Sequence, residues 1–466
     1  MNLHRIFSAA LMAAAITATA WAKAPNYIFF FIGDGMGIAQ VTNAQLYNAR
    51  VLGNSTPLLS TTFPVASMAT THSASSDVTD SAAAGTALST GHKTVNGMLG
   101  VTPDSVAVTS VAKKLFDAGY GVGIVTSVAI DDATPGAFYA HVPSRSQYYD
   151  IGRQLAECGY QFAAGASLRG AFDKHGNPTD LMKYFDEANV SVSYGLDSID
   201  TTAQRLLVLS PFHKEKQNEI GFTIDSIAGA LTLPALTRAG LDQLKRTSPD
   251  RFFMMVEGGN IDHAGHGNDG GTILREVINF NQALQEAYDF YLAHPDETLI
   301  VVTADHETGG MSVGCRETGY SVRLENAAGQ KISKEEFSNL CRAMLRSRRI
   351  YTWDDMQEIL RDELGFGVNL KLTPEETERL HTMFDEVFEK RASGLDQKTL
   401  YATFDGFTNE VFNILNAKSG MGWTTGGHSG MPVPVYAVGV DSQLFSPLND
   451  NTDIPAKILS IAGIEK

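Results

Sequence analysis

The chain has 466 residues, of which 43% are hydrophobic and 19% charged, with 43 glycines, 16 prolines and a formal net charge of −16. This length and apolar content allow a large buried core, in one big domain or in two to three ordinary ones, and exclude a disordered or fibrous chain. The acidic balance disfavours nucleic acid or an anionic membrane as a bulk partner, while leaving room for a local cationic pocket.

Residues 1–22 read as a secretory signal peptide. Arg5 is the basic start, an apolar run begins at Ile6, and small residues end in Ala20-Trp21-Ala22 before Lys23. An uncleaved membrane anchor fits less well, because the run is short for a span and rich in weakly apolar Ala and Thr. No cysteine near the cleavage point offers a lipid acceptor, and no later stretch is long and apolar enough to cross a bilayer. The mature chain, 23–466, is therefore expected to be periplasmic or secreted. Its three cysteines, Cys158, Cys315 and Cys341, permit at most one intrachain disulfide; Cys315–Cys341 is one candidate pair that spacing does not settle.

In chain order, Tyr27–Ile32 is the first of five short apolar runs that read as strands buried on both faces. It ends in Gly33-Asp34-Gly35-Met36-Gly37. A helical pattern at Ser105–Ala118 precedes the second run, Gly121–Val128, which leads into Asp131-Asp132-Ala133-Thr134-Pro135. The third run, Phe252–Val256, ends in Glu257, then Gly258-Gly259-Asn260-Ile261-Asp262-His263-Ala264-Gly265-His266. A helix is predicted over Thr272–Leu292. The fourth run, Leu299–Thr303, ends in Ala304-Asp305-His306. The fifth, Val433–Val440, follows Gly426-Gly427-His428-Ser429-Gly430. Strands alternating with helices predict an α/β fold: a three-layer sandwich with a large, mostly parallel central sheet and helices on both faces.

One segment differs in composition. Between Lys331 and Leu400, 26 of 70 residues are Asp, Glu, Lys or Arg. Ser333…Glu336 and Thr373-Pro…Glu376 carry capping-box patterns, Thr352…Asp355 a weaker version, and Gly365 is placed to close the middle helix. A helical insertion at about 315–419 is expected, with a solvated structural lobe as its plainest reading.

Carboxylates and imidazoles thus recur at the C-terminal ends of strands, where open α/β sheets place ligand sites. Asp34, Asp132, Glu257, Asp262 and Asp305 would put five negative charges in one crevice, and like charges at close range raise one another's pKa. Three divalent cations would turn the total to about +1, and one arginine to about +2, which suits a phosphate dianion. Asp262 and His266 are four apart, so a helical turn puts both on one face; with His428 they form a nitrogen- and oxygen-rich set suited to zinc. Asp305-His306 offers a second pair. Asp34, Glu257 and the Thr134 hydroxyl are hard oxygens that suit Mg²⁺. His175, His213 and His381 read as ordinary surface or core residues.

With these motifs in this order, the chain resembles the alkaline phosphatase family over nearly its whole mature length. In that family the nucleophilic serine lies in an Asp-Ser-Ala segment, matched here by Thr79-Asp80-Ser81-Ala82-Ala83; on its own this stretch would read as an ordinary helix start. The phosphate-binding arginine follows a pattern matched by Asp132, Thr134, Pro135, His141 and Arg145. The resemblance implies a phosphomonoester hydrolase with a phosphoserine intermediate, two zinc ions and one magnesium ion, and a homodimer. It implies one zinc on Asp262, His266 and His428, and a second on Asp34, Asp305 and His306, completed by the Ser81 oxygen. It implies Mg²⁺ on Asp34, Thr134 and Glu257, with Asp132 acting through water. His263 occupies a position that varies in the family and is expected to touch phosphate through water or to tune the third metal site. The long gap from His306 to His428 is a second departure from compact bacterial members, and inserts there cover the active site or extend the subunit contact. The rivals are a phosphodiesterase, sulfatase or phosphomutase of the same superfamily, and a non-catalytic metal- or phosphate-binding protein. Arg145 with Thr134 and Glu257 favours the monoesterase, and Ser81 lacks the context of a sulfatase nucleophile.

Overall fold

The structure, a computed structural model, describes residues 24–212, 218–390 and 396–464. The expected signal peptide and His213 lie outside the described residues. Eight strands come first in the chain: β1 (Tyr27–Ile32), β2 (Val65–Thr70), β3 (Gly121–Thr126), β4 (Phe162–Gly165), β5 (Ser191–Tyr194), β6 (Leu206–Leu209), β7 (Phe252–Glu257) and β8 (Thr298–Thr303). With Val433–Gly439 and Leu448–Asp450 they make a ten-stranded sheet, ordered Leu448–Asp450, β2, Val433–Gly439, β8, β1, β7, β3, β4, β6, β5. Every pairing is parallel except those of Val433–Gly439, which runs antiparallel to both β2 and β8.

β1, β3, β7 and β8 are apolar almost throughout because helices cover both faces of the sheet. One helical group is Ile38–Arg50, Leu233–Thr247 and Gly270–Ala293; the other includes Ser81–Thr90, Val111–Asp117 and Asp453–Ile461. The pairing register levels the central strand ends. Ile32 pairs with both Glu257 and Thr303, and Glu257 pairs with Thr126, so four strands finish in one row.

The five predicted strands are present within one or two residues. The helix expected from Ser105 begins only at Val111, where the Ser110 hydroxyl accepts from Lys113 N. Ser105 sits at φ +61°, and Val101 pairs with Ala107 in an isolated bridge, so local turn geometry overrides the helical pattern there.

Beyond β8 a second apolar core forms, separate from the one around the sheet. Phe337, Met356, Leu360, Leu380, Phe384 and Phe407 lie in it. Its helices are Lys334–Arg346, Trp353–Leu364, Pro374–Phe384 and Gly406–Ser419. Thr352 with Asp355 and Thr373 with Glu376 form full reciprocal capping boxes, and Gly365 closes the second helix at φ +74°. The stronger-looking pattern at Ser333 is only half made. Ser333 Oγ accepts from Glu336 N, but the Ser333 N–H is taken by Asp225 Oδ1 at 2.7 Å, which ties this helix to the sheet body instead. Ser312–Val313 pairs antiparallel with Met421–Gly422, so the chain leaves the sheet body and returns to it at one place. All three cysteines are free thiols; Cys315–Cys341 is not a disulfide.

Candidate active site

The four level strand ends set out a floor. Asp34 follows β1, Asp132 and Thr134 follow β3, Glu257 ends β7, and Asp305 and His306 follow β8. Gly35 turns the chain at φ +70°; a Cβ there would stand 2.9 Å from the Asp262 Cα, so only glycine lets the two loops meet. The short helix Asn260–His266 presents Asp262 and His266 on one face, with His266 Nε2 3.4 Å from Asp262 Oδ2. His428 arrives from the far side of the helical lobe. It is held by the two-residue antiparallel pair of His428–Ser429 with Glu307–Thr308.

Two groups of ligand-type side chains converge. In the first, His266 Nε2 is 3.1 Å from His428 Nε2, and His428 Nε2 is 3.6 Å from Asp262 Oδ1. In the second, His306 Nε2 lies 3.4 Å from Asp34 Oδ1 and 3.2 Å from Asp305 Oδ2. The groups adjoin, because the His306 and His428 rings stack with centroids 3.5 Å apart and Asp262 faces both. Outer partners fix the imidazoles. His266 Nδ1 bonds to the Gly426 carbonyl at 2.7 Å and His428 Nδ1 to the Thr79 carbonyl at 2.8 Å, which turns each Nε2 toward the hollow.

The floor contains buried polar atoms without hydrogen-bond partners: Asp34 Oδ1, Thr134 Oγ1, Glu257 Oε1, Asp262 Oδ2 and Asp305 Oδ2. Leaving such groups unpaired costs about 1–3 kcal/mol each, more when charged, so five in one hollow are poor packing unless a cation meets them. This donor set, carboxylate oxygens and neutral imidazole nitrogens with their outer shells in place, fits divalent metal ions. The third expected group is less gathered. Glu257 Oε2 accepts from Thr126 Oγ1, and the Glu257 carboxylate is repelled by Asp132 and repels Asp34.

The charges divide as crowding dictates. Burial, with neighbouring carboxylates, pushes Asp34 well above its usual range, Glu257 up to about 8 and Asp305 up to about 7. Burial also works against ionised Asp262, but His266, His428 and His306 outweigh it and hold this carboxyl well down. Asp132 is likewise held down against burial, here by Arg145 and Arg169. Burial drives His306 and His428 downward, so both favour the neutral, metal-binding form.

Ser81 is the first residue of helix Ser81–Thr90, with Asp80 as its cap through a 3.0 Å bond from Ala83 N. The helix approaches closely because Gly85 faces Thr134; a Cβ there would be 3.2 Å from the Thr134 Cα. Ser81 Oγ lies 3.2 Å from His306 Nε2, at the second group. Arg145 stands over the floor, 3.2 Å from Asp132 Oδ1 and 3.4 Å from Asp80 Oδ2. His141, from the same motif, points elsewhere and bonds Gly100 O at 2.8 Å.

Three neighbours of this site carry no mark in the sequence. Arg169 lies 3.7 Å from the other Asp132 oxygen and stacks on Tyr148, 4.0 Å from the ring centroid. Glu219 Oε2 accepts from His263 Nδ1 at 3.0 Å and so orients that ring. Tyr401, from the helical lobe, lies on His263 with ring centroids 3.7 Å apart. No local pattern signals any of the three. His175 and His381 are exposed and remote from this cluster.

Comparison with known proteins agrees with this arrangement. The family model for alkaline phosphatase matches residues 24–164 and 198–464. Alkaline phosphatase 3 of Bacillus subtilis (strain 168) is 31% identical over 452 residues, 92% of this chain and 87% of that protein. Alkaline phosphatase 4 of the same organism is 30% identical over 441 residues, 91% of this chain and 86% of that protein. Among solved structures, the cold-active alkaline phosphatase of the psychrophile Shewanella sp. superposes with a TM-score of 0.77 at 28% identity, covering 93% of this chain and 99% of that one. By the family model, the relatives and the shared fold, this chain belongs to the alkaline phosphatase family, the phosphoric monoester hydrolases.

Proposed function

We propose that this chain hydrolyses small phosphate monoesters to alcohol and inorganic phosphate through a phosphoserine at Ser81, using two zinc ions and one magnesium ion. The observation that carries the reading is Ser81 Oγ, at a helix N-terminus, 3.2 Å from His306 Nε2 beside carboxylate oxygens without partners. Asp262, His266 and His428 would hold one zinc, and Asp34, Asp305 and His306 the other. Asp34, Thr134 and Glu257 would hold magnesium, with Asp132 acting through water. When bound, the cations lower the pKa of a neighbouring hydroxyl or water and offset charge on phosphoryl oxygens.

The chain's own groups do the rest. Arg145 offers its planar fork to two phosphate oxygens. The helix N-terminus favours the phosphoryl anion beside Ser81. Ser81 gives its hydroxyl proton to water and its Oγ attacks phosphorus in line; the ester P–O bond breaks, and the departing alkoxide takes that proton back through water and leaves as the alcohol. Water then attacks the same phosphorus, the serine P–O bond breaks, and the serine proton is restored. The Ser81–His306 contact would also suit a serine–histidine base pair. That alternative leaves His306 Nε2 and two carboxylate oxygens facing one another with no cation between them, so the metal reading is preferred.

Residues 1–22 would direct export to the periplasm or medium, and the described residues include no helix long and apolar enough to cross a membrane. Residues 315–419 are taken as a lobe inserted in the catalytic body, and the working unit as a homodimer. The test is Ser81→Ala. Turnover of p-nitrophenyl phosphate should fall at least about a thousandfold while phosphate binding is retained; hydrolysis at the wild-type rate would remove Ser81 as the nucleophile.

A further inference from the structure

Among the described residues, a hairpin of the helical lobe reaches the catalytic hollow. Gln397–Lys398 and Thr403–Phe404 form a short antiparallel hairpin, with Gln397 opposite Phe404 and Lys398 opposite Thr403. Its tip is tied on itself. Thr399 N donates to Ala402 O at 2.7 Å, and Thr399 Oγ1 accepts from Ala402 N at 3.0 Å. The base is anchored as well: Phe404 is buried, the Lys334 ammonium lies 4.6 Å from its ring centroid, and Arg342 donates to the Thr403 carbonyl. Leu400 at the tip faces solvent, 59% exposed.

Tyr401, beside it, turns inward. Its ring lies against His263 and meets His266 edge-on, with centroids 5.3 Å apart and planes at 72°. His263 is itself fixed by Glu219, so the phenol rests on an oriented surface. The phenol also stands within electrostatic range of Arg145, Asp262, Asp132 and Asp34, the charged groups of the pocket. Ser81 lies across the hollow beside His306, whereas Tyr401 stands over the His266 side. An in-line displacement at phosphorus needs the attacking and departing oxygens on opposite sides, so the His266 side is where the alcohol leaves.

We propose that Tyr401 is a substrate-binding residue donated by the lobe, whose phenol O–H donates a hydrogen bond to a phosphoryl oxygen on the leaving-group side of the pocket. The proposal rests on the phosphomonoesterase reading of the hollow. It makes the lobe part of the phosphate site. The ring, lying on His263, narrows the opening through which the alcohol departs. A hydrogen bond to a charged oxygen in such a site is worth a factor of about ten or more in affinity.

The test uses the metal-loaded full-length protein and two backgrounds. Inorganic phosphate binding is measured by calorimetry on Ser81→Ala with and without Tyr401→Phe, which keeps the ring and removes the donor. The phosphate Kd should rise about tenfold. In the Ser81 background, Tyr401→Phe should raise the KM for p-nitrophenyl phosphate and the phosphate Ki by a similar factor. Tyr401→Leu, which also removes the ring, should further change the ratio of kcat/KM between aryl and small alkyl monoesters. Phosphate affinity unchanged in Tyr401→Phe, with turnover intact, would overturn the proposal and leave the functional reading standing. Failure of the wild-type protein to hydrolyse monoesters would instead sink that reading, and the role of Tyr401 with it.

Discussion

The strand-end hollow and the helical lobe are built on opposite principles. The lobe satisfies its polar groups locally: Thr352 and Thr373 close reciprocal capping boxes, and Phe337, Phe384 and Phe407 fill a core of their own. The hollow does the reverse. It buries Asp34, Glu257, Asp262 and Asp305 together, leaves an oxygen of each without a partner, and pushes three of these carboxyls upward in pKa. A fold that keeps such a cluster on the ends of its central strands does so at a cost to its own stability. The difference separates the part of the chain arranged for packing from the part arranged for ions and phosphate.

That contrast can be broken most directly by removing metal. Exhaustive chelation should abolish monoester turnover and lower the melting temperature, because the hollow then holds uncompensated charge. Activity that survives, with metal content measured as zero, would defeat the contrast. The next largest effect belongs to the two arginines on Asp132. Arg145→Ala should lower kcat/KM by about 10- to 100-fold, as expected for loss of charged hydrogen bonds to phosphate. Arg169→Ala, which removes a cation from Asp132 but leaves the phosphate fork, should cost less; equal losses would give Arg169 a share in binding.

The seam between the two regions has its own signature. The Lys334 ammonium donates to Gly267 O at 2.8 Å, and burial holds its pKa down to about 8. In the unfolded chain it titrates near 10.4. Between those values the unfolded state binds more protons, so the stability contributed here rises with pH; below pH 8 both states are charged and the term is flat. The unfolding free energy of the wild type relative to Lys334→Met should therefore climb by up to about 3 kcal/mol from pH 8 to above pH 10. A flat difference would mean that the seam is wetter than it looks. The smallest effect sharpens the comparison from the lobe's side: Thr352→Ala should cost about 1 kcal/mol in urea unfolding while kcat stays at the wild-type value.

Much of the hollow is legible in the sequence because each ligand follows an apolar run. Asp34, Glu257, Asp305 and His306 stand out as strand-end residues, and Asp262 with His266 as a pair four apart. Ser81 and Arg145 do not stand out on physical grounds; an Ala-rich helix start and a lone arginine look ordinary, and resemblance alone singles them out. Arg169 is hidden behind β4, a four-residue strand too short to announce itself, and Tyr401 at a hairpin tip inside a charged segment. Their positions are decided by tertiary contacts that leave no periodic trace. The outer strands β4, β5 and β6 escape sequence reading for the same reason of length. At Ser333, the backbone N–H chooses a distant aspartate over its own helix, which no local pattern foretells.

The neck beneath the lobe has a further consequence. Ser312–Val313 and Met421–Gly422 lie side by side, with Gly314 N bonded to Gly420 O at 2.8 Å, so the outgoing and incoming chain ends are already joined by backbone pairing. Parts of the lobe away from the Lys334 seam can lengthen or shrink at little more than the entropy of closing a loop. The outer helices can thus be refitted while the level strand ends beneath them keep their places.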